Sequence, residues 1–302
     1  MAPTLADRGA LRRPPSFRHR VEAVFAALSF AGFRLLPFAA ASALGGAVAR
    51  LVGPPLPLSN RARINLRRAM PELSEGEIAL IVKGMWNNLG RVAAEYPHLR
   101  EIRVFSPGGP VETRGFEHID RAVAAGRPMI IFSGHLANWE IGALAAVQYG
   151  VEVVQIYRAA NNPLVDRMIQ EFRGSPGAFL EKGADAARGA VKALKAGRHL
   201  TLLADQKLNE GIAVPFFGRE AMTAPLLAAL ALRFQCDLVP ARVERIGGAR
   251  FRLTVYPPLP LPKSGDKSTD VAALTAAVNN TLEAWIRERP SEWFWLHRRW
   301  SD

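Results

Sequence analysis

The sequence predicts an α/β fold with a mostly parallel central sheet flanked by helices. From about residue 110 onward, short apolar runs of strand length alternate with helical segments, and Gly126 and Gly197 end two of these helices. Strands that alternate with helices predict a parallel sheet, because the crossover helices cover its faces. Gly247-Gly248 separates the last two apolar runs and predicts an antiparallel hairpin at the edge of the sheet.

The first fifty residues predict a basic tail followed by a helical hairpin or a bent helix. Residues 1–20 carry several arginines, and two apolar stretches follow, Val21–Phe33 and Leu35–Ala49, split by Arg34. Each stretch is shorter than the roughly 20 residues that span a bilayer. The basic flank favours attachment to the cytoplasmic face of a membrane, and two ordinary core helices are the alternative.

The remaining elements follow in a regular order. Gly53-Pro54-Pro55-Leu56-Pro57 is a break, since proline does not continue a helix, and Ser74 with Glu77 forms a capping box that opens a long helix. The expected helices are Arg61–Met70, Ser74–Tyr96, Gly115–Ala125, Trp139–Tyr149, Pro163–Phe172, Ala184–Ala196, Thr223–Phe234 and Val271–Arg287. The expected strands are Val111–Arg114, Met129–Phe132, Val151–Tyr157, Phe179-Leu180, Leu200–Leu203, Leu238–Arg245 and Phe251–Tyr256.

The charge balance indicates an anionic partner. Lys and Arg number 39 against 27 Asp and Glu, a net charge of +12. A membrane surface or a phosphorylated lipid is favoured over nucleic acid, because the basic residues are dispersed and no zinc-finger or RNA-binding motif is present. An arginine-rich composition that follows a GC-rich genome is the alternative. The single cysteine, Cys236, excludes an intrachain disulfide and a cysteine-clustered metal site.

Ser133-Gly134-His135 marks the candidate active site. It lies between an apolar strand and a helix, and polar groups at the carboxyl ends of parallel strands line ligand crevices. Neutral imidazole accepts a proton near neutral pH, so His135 is predicted as a general base with Glu140 as the carboxylate that orients it. Backbone N–H groups at the start of the next helix suit a developing oxyanion. The alternative is a buried histidine, with Glu140 as a favourable charge at a helix N-terminus.

The chain resembles the lipid A late acyltransferases, a family within the lysophospholipid acyltransferase-like superfamily. Gly134-His135 with Asn138-Trp139-Glu140 resembles the HX4E/D motif of this family, in which Ala137 stands where many members have Gly. Further segments resemble its other blocks in the same order: Trp86–Arg91 with Glu95, Tyr157-Arg158 with Asn162-Pro163 and Asp166, Arg173, Ala204-Asp205-Gln206, Val214–Gly218 with Thr223, and Glu292–Trp300. Six ordered matches are more specific than any one of them.

The resemblance implies an enzyme that moves a fatty acyl group from an acyl carrier protein thioester to a hydroxyl of an anionic lipid A precursor, at the cytoplasmic face of the inner membrane. It implies no resident cofactor or metal and no nucleic acid. His135 and Glu140 are the expected catalytic pair. The expected substrate-binding residues are Arg173, Asp205, Arg158, Gln206 and Asn138. Three parts are expected: a tail over 1–20, a helical membrane-associated region over 21–100 and a catalytic domain over 101–302.

Arginine suits phosphate because its guanidinium is a bidentate donor, although a solvated arginine is the alternative for Arg158 and Arg173. Asp205 is expected to hold an arginine or to orient substrate, with a turn cap as the alternative. Phe216 and Phe217 suit an acyl-chain channel or plain core. The tryptophans of the last ten residues suit a membrane interface or a segment packed on the domain. His297 lacks a nearby carboxylate in the sequence and is expected to be structural or at the surface.

Two rival functions remain. The same chemistry suits another acceptor, such as a phosphatidylinositol mannoside or a lysophospholipid. A basic module that binds membranes or nucleic acid without catalysis also explains the charge, but it gives His135 no role.

Overall fold

The computed structural model describes residues 15–174, 178–181 and 184–300. The helices are α1 (Phe17–Arg34), α2 (Phe38–Val52), α3 (Ser59–Ala69), α4 (Glu75–Glu95), α5 (Glu117–Ala124), α6 (Glu140–Gln148), α7 (Pro163–Arg173), α8 (Ala184–Lys195), α9 (Leu226–Phe234) and α10 (Lys267–Glu288). The strands are β1 (Val111–Arg114), β2 (Met129–Ser133), β3 (Val153–Tyr157), β4 (Ala178–Glu181), β5 (His199–Leu203), β6 (Lys207–Phe216), β7 (Arg219–Thr223), β8 (Asp237–Gly247) and β9 (Arg250–Val255). Most of the predicted tail lies outside the described residues, and its last residues already belong to α1.

The central sheet confirms the predicted α/β fold. It has seven strands in the order β1-β9-β8-β2-β5-β3-β4. Every neighbouring pair is parallel except β8 and β9, which form the predicted hairpin. The hairpin is not at the edge, because β1 pairs with the outer side of β9. Strand β2 lies in the middle, and its residues Met129 to Phe132 are buried, as expected for a strand covered on both faces.

The structure contains a second sheet, which was not predicted from the sequence. Strands β6 and β7 form an antiparallel pair with an irregularity between Lys207 and Ile212. Phe216 and Phe217 are buried in the core beside Trp293, Trp295 and Trp300, so they do not line an open channel. These three tryptophans are also buried, which makes the C-terminus a segment packed on the domain and overturns the membrane-interface alternative for it.

Helices α1 and α2 lie at the two predicted apolar stretches, with α2 packed on α4 and α1 on α7, and the capping box at the start of α4 is confirmed. Helices α2 and α4 touch backbone to backbone, since a Cβ on Gly90 would overlap the carbonyl oxygen of Gly45. Among the described residues, none of the helices combines the length and the apolarity that a membrane crossing requires. Several apolar side chains of α1 and α2 are nevertheless exposed: Phe17, Val21, Val24, Phe25, Leu28, Leu44, Val48, Leu51 and Val52.

Candidate active site

Two neighbouring parallel strands bring the central residues of the site together. Ser133 at the end of β2 pairs with Leu203 at the end of β5. His135 follows the first of these residues by two positions, and Asp205 follows the second by the same offset. The turn into His135 needs a small residue, because a Cβ on Gly134 would lie 3.1 Å from Leu282 and 3.4 Å from the Asp205 carboxylate. The shared register therefore places an imidazole beside a carboxylate.

Asp205 holds His135 through both the side chain and the backbone. The ring Nδ1 lies 2.7 Å from Oδ1 of Asp205, and the backbone N–H of His135 donates to Oδ2 at 2.7 Å. Trp293 Nε1 donates to the same Oδ2 at 2.7 Å. Burial alone raises the pKa of the Asp205 carboxyl, but the charge and hydrogen bonds of His135, with the charge of His297, lower it below its ordinary value of 3.8. Asp205 is thus an ionised acceptor that sets the proton on Nδ1.

The imidazole is partly accessible. The His135 side chain keeps 15% of its surface exposed, whereas that of Asp205 is fully buried. With Nδ1 protonated, Nε2 carries the lone pair. Gln206 Nε2 lies 3.4 Å from this atom. The arrangement is that of a base whose tautomer is fixed by the Asp205 carboxylate and whose second nitrogen, Nε2, is left to accept a proton.

Glu140 does not contact the imidazole as predicted. Its carboxylate accepts from Arg173 Nε at 2.7 Å and Nη2 at 2.6 Å, from the Tyr96 hydroxyl at 2.8 Å and from Trp139 Nε1 at 3.1 Å. Burial raises the pKa of Glu140, but Arg173 and these hydrogen bonds outweigh it, and the net pKa is lowered from 4.5. The predicted pairing of His135 with Glu140 is therefore wrong for this structure. A separation of five residues around a turn and into a helix directs the two side chains to different partners.

Arg173 is the buried cation of this second cluster. Both of its bonds to Glu140 form a bidentate pair, and the guanidinium also lies 5.8 Å from the centre of the Tyr157 ring. The Arg173 guanidinium, which was expected to bind a substrate phosphate, thus binds a protein carboxylate. Arg158 is exposed and lies 3.4 Å from Asn161. Asn138 is buried and hydrogen-bonds to Glu95 and to the backbone of Glu140, so its side chain is held within the protein.

Two backbone N–H groups between His135 and the first turn of α6, the region predicted to bind the oxyanion, have protein acceptors. Ala137 N donates to Glu292 O at 3.1 Å, and Glu140 N donates to Asn138 Oδ1 at 3.1 Å. These two groups are therefore not directed at a substrate.

His297 is a site residue that the sequence analysis missed. Its ring packs edge to face against His135 with centroids 5.0 Å apart, and Phe294 packs on it from another side at 4.5 Å. Asn65 on α3 donates to the backbone carbonyls of Trp295 and His297 at 2.8 Å and so fixes this part of the C-terminal segment. Potential ligand atoms of His135, Asp205 and His297 lie within 4.8 Å of one another, the spacing at which such groups can hold a metal ion. The only sequence signal was the position of His297 within a resembling block.

A partly apolar cavity lies next to the Glu140 cluster. Its apolar walls include Leu144 and Val147 of α6, Val153 of β3 and Phe179 of β4. Glu140 and Arg173 form its polar part.

The comparisons with known proteins identify the family. A family model described as bacterial lipid A biosynthesis acyltransferase matches residues 12–302. The chain belongs to this family. It is an acyltransferase, and the family connects it with acyl transfer in lipid A-type biosynthesis.

Individual relatives of this acyltransferase carry different acceptor names. The lipid A biosynthesis lauroyltransferase of Escherichia coli (strain K12) is 27% identical over 261 residues, which cover 81% of this chain and 80% of the relative. A phosphatidylinositol mannoside acyltransferase of Mycobacterium tuberculosis is 28% identical over 62% of this chain and 58% of the relative. A crystal structure of a 1-acyl-sn-glycerophosphate acyltransferase from Thermotoga maritima aligns over 94% of this chain and all of its own, with 14% identity and a TM-score of 0.37.

Proposed function

We propose that this acyltransferase moves a fatty acyl group from an acyl carrier protein thioester to a hydroxyl of a lipid A precursor, with His135 as the general base. The observation that carries this proposal is the hydrogen bond between Nδ1 of the partly exposed His135 and the buried Asp205 carboxylate, which leaves Nε2 as the nitrogen with the lone pair. The family match supports the reaction type.

The residues account for each step of the transfer. His135 Nε2 takes the proton of the acceptor hydroxyl as its oxygen attacks the thioester carbonyl carbon. Asp205 stays ionised and stabilises the imidazolium, as in the logic of a catalytic triad without an enzyme nucleophile. The tetrahedral intermediate then expels the carrier thiolate, the imidazolium returns the proton to that sulfur, and the products are an ester and a free thiol.

Gln206 is the side-chain donor best placed for the developing oxyanion. Its Nε2 lies 3.4 Å from the reactive nitrogen of His135, whereas the N–H groups of Ala137 and Glu140 donate within the protein. A donor aimed at the carbonyl oxygen stabilises the charge that forms there. We assign Gln206 to this role.

The exposed apolar face of α1 and α2 supports attachment to the inner membrane from the cytoplasmic side. Phe25 and Leu28 project from α1, and Leu51 and Val52 project from the end of α2 beside Arg50. Apolar side chains that enter the lipid, with basic residues at the anionic headgroups, bind a helix in the plane of a membrane. The net charge of +12 fits both an anionic acceptor lipid and the phosphate of the donor arm.

A second acceptor class has a specific observation in its favour. The mycobacterial relative, named a phosphatidylinositol mannoside acyltransferase, is 28% identical over 192 residues, against 27% over 261 residues for the lipid A lauroyltransferase. Transfer to another glycolipid uses the same base and donor.

The test is an in vitro assay with several acyl carrier protein thioesters and three acceptors: a tetraacylated lipid A precursor, a phosphatidylinositol mannoside and a lysophospholipid. Mass spectrometry identifies the products. Acylation of the lipid A precursor supports the proposal, acylation of another acceptor alone replaces it by the second candidate, and no transfer to any acceptor contradicts both.

A further inference from the structure

The backbone between His135 and α6 adopts a turn that needs outside support. Ala137 has φ of 47°, in the left-handed region that non-glycine residues rarely occupy. Its N–H donates to the carbonyl of Glu292 at 3.1 Å, and its own carbonyl accepts from Asn88 Nδ2 at 3.0 Å. Strained conformations of this kind persist where surrounding structure over-determines them.

Asn138, the next residue of the turn, is held from α4. It is buried, and its Nδ2 donates to Glu95 Oε2 at 2.8 Å. Its Oδ1 accepts the backbone N–H of Glu140 at 3.1 Å. Tyr96 follows Glu95 in the chain and donates to the Glu140 carboxylate at 2.8 Å. Two successive residues at the end of α4 therefore hold two positions of the catalytic turn.

Glu95 is the centre of this support. It is fully buried, and its carboxylate accepts four hydrogen bonds. They come from Ser42 at 2.6 Å, from Arg245 Nη1 at 2.7 Å and Nη2 at 3.1 Å, and from Asn138. Arg245 Nε donates to Asn88 Oδ1 at 3.0 Å. Asn88 in turn holds the carbonyl of Ala137, so Glu95, Arg245 and Asn88 reach the turn at two successive residues.

Stability alone is a poor reason for such a network. A buried ion pair is often no better for stability than well-packed apolar residues, because desolvation offsets the attraction. A fully satisfied polar network does, however, select one geometry. Here the selected geometry is that of the segment that carries His135.

We propose that Glu95 is a positioning residue for the transfer reaction: with Arg245 and Asn88 it fixes the left-handed turn at Ala137 and thereby the orientation of the His135 imidazole. This inference rests on the proposed role of His135 as the base. It gives a function to the Glu95 segment, which lies far from the His135 turn in the sequence.

The test compares Glu95→Gln with Leu194→Ala. The first keeps the shape of the side chain and removes its charge. The second removes a buried side chain of α8, a helix that packs mainly on β3, β4 and β5 and has no part in the Glu95 network. At a temperature where both variants are folded, Glu95→Gln is expected to lower kcat roughly 10- to 100-fold with little change in KM, since misplacing a catalytic group by about 1 Å costs this much. Leu194→Ala is expected to keep the wild-type kcat.

Asn138→Ala is a second variant, in which Arg245 keeps its carboxylate partner Glu95. It is also expected to lower kcat with little change in KM. An NMR readout on ¹⁵N-histidine-labelled protein is independent of turnover. The Nδ1 proton of His135 is expected to shift and to exchange faster with water in both variants, but not in Leu194→Ala.

The positioning role is overturned if Glu95→Gln and Asn138→Ala keep the wild-type kcat and the wild-type Nδ1 resonance. It is also overturned if Leu194→Ala lowers kcat as much as they do, because the effect then follows stability. Failure of the proposed function has a different signature: His135→Ala keeps its activity, whereas the resonance experiment on Glu95 still gives its own result.

Discussion

His135 Nδ1 lies 2.7 Å from Asp205 Oδ1, although the two residues are 70 positions apart in the chain. The contact exists because β2 and β5 are neighbours in register and each is followed, two residues later, by one member of the pair. The family motif places Glu140 five residues after His135, yet that carboxylate binds Arg173 instead. The structure thus contains two distinct pairs. His135 with Asp205 is suited to proton transfer, and Glu140 with Arg173 is an ion pair within the protein.

Asp205→Asn is expected to lower kcat by roughly 10²- to 10⁴-fold, because an amide in that position favours the wrong tautomer of the imidazole. Steady-state acyl transfer measures the loss. Asp237→Asn is the matched control. Asp237 forms an ion pair with Arg127 and lies beside Met129 at the start of β2, whereas His135 follows the end of that strand. Equal losses in the two variants would remove the special role of Asp205.

Arg173→Met is expected to destabilise the protein by about 3–5 kcal/mol, because it leaves the buried Glu140 carboxylate without its cation. The double variant with Glu140→Gln is expected to recover most of this loss, since neither charge remains. Urea unfolding at neutral pH measures both changes. A double variant no more stable than Arg173→Met would contradict the pairing.

The same pair predicts a dependence on pH. The pKa of Glu140 in the folded protein is lowered from 4.5, so its contribution to wild-type stability is present above that pH and is lost as the pH falls through the lowered value. Without Arg173, burial raises the pKa of Glu140 and the carboxyl takes up a proton more easily. The stability difference between wild type and Arg173→Met is therefore expected to shrink as the pH falls from 7 toward 4. A difference that stays constant over this range would contradict the assignment.

The fold class could be predicted from the sequence because alternating apolar runs and helices are compatible with few arrangements of the sheet. His135 and Asp205 were predicted at the carboxyl ends of strands but not as a pair, since the order of strands depends on long-range packing. Knowing that β2 and β5 are neighbours would have been sufficient. His297 was missed for a related reason, because the C-terminal segment reaches the site through tertiary contacts such as that of Asn65 with its backbone. The hairpin of β6 and β7 was missed because the charged and glycine residues at the start of β6 hide the alternation expected of a strand.

Gly90→Ala is expected to destabilise the protein by about 1–3 kcal/mol, because the added methyl group forces α2 and α4 apart at Gly45. Gly32→Ala in α1 is the control. A Cβ there meets no atom within 4 Å, so the substitution is expected to stabilise by about 0.5–1 kcal/mol through helix propensity. Thermal unfolding of both variants checks the difference, and similar effects of the two would contradict the close packing of α2 on α4.

Phe25→Ser with Leu28→Ser is expected to weaken binding to vesicles that contain anionic lipid by about tenfold or more, since each side chain buries apolar surface in the membrane. The two side chains are 69% and 67% exposed on α1. Leu80→Ser on α4 is the matched control, because Leu80 is also 67% exposed but belongs to neither α1 nor α2. Sedimentation with vesicles measures the binding. Equal loss in the control would show that general apolarity, and not this face, governs attachment.

The most direct measurement is single-turnover acyl transfer by wild type and His135→Ala, with an acyl carrier protein thioester and a tetraacylated lipid A precursor, on protein whose fold is checked by circular dichroism. The account predicts that wild type forms the acylated lipid and that the variant forms none above background while it remains folded. Acylation by His135→Ala at the wild-type rate would contradict the account.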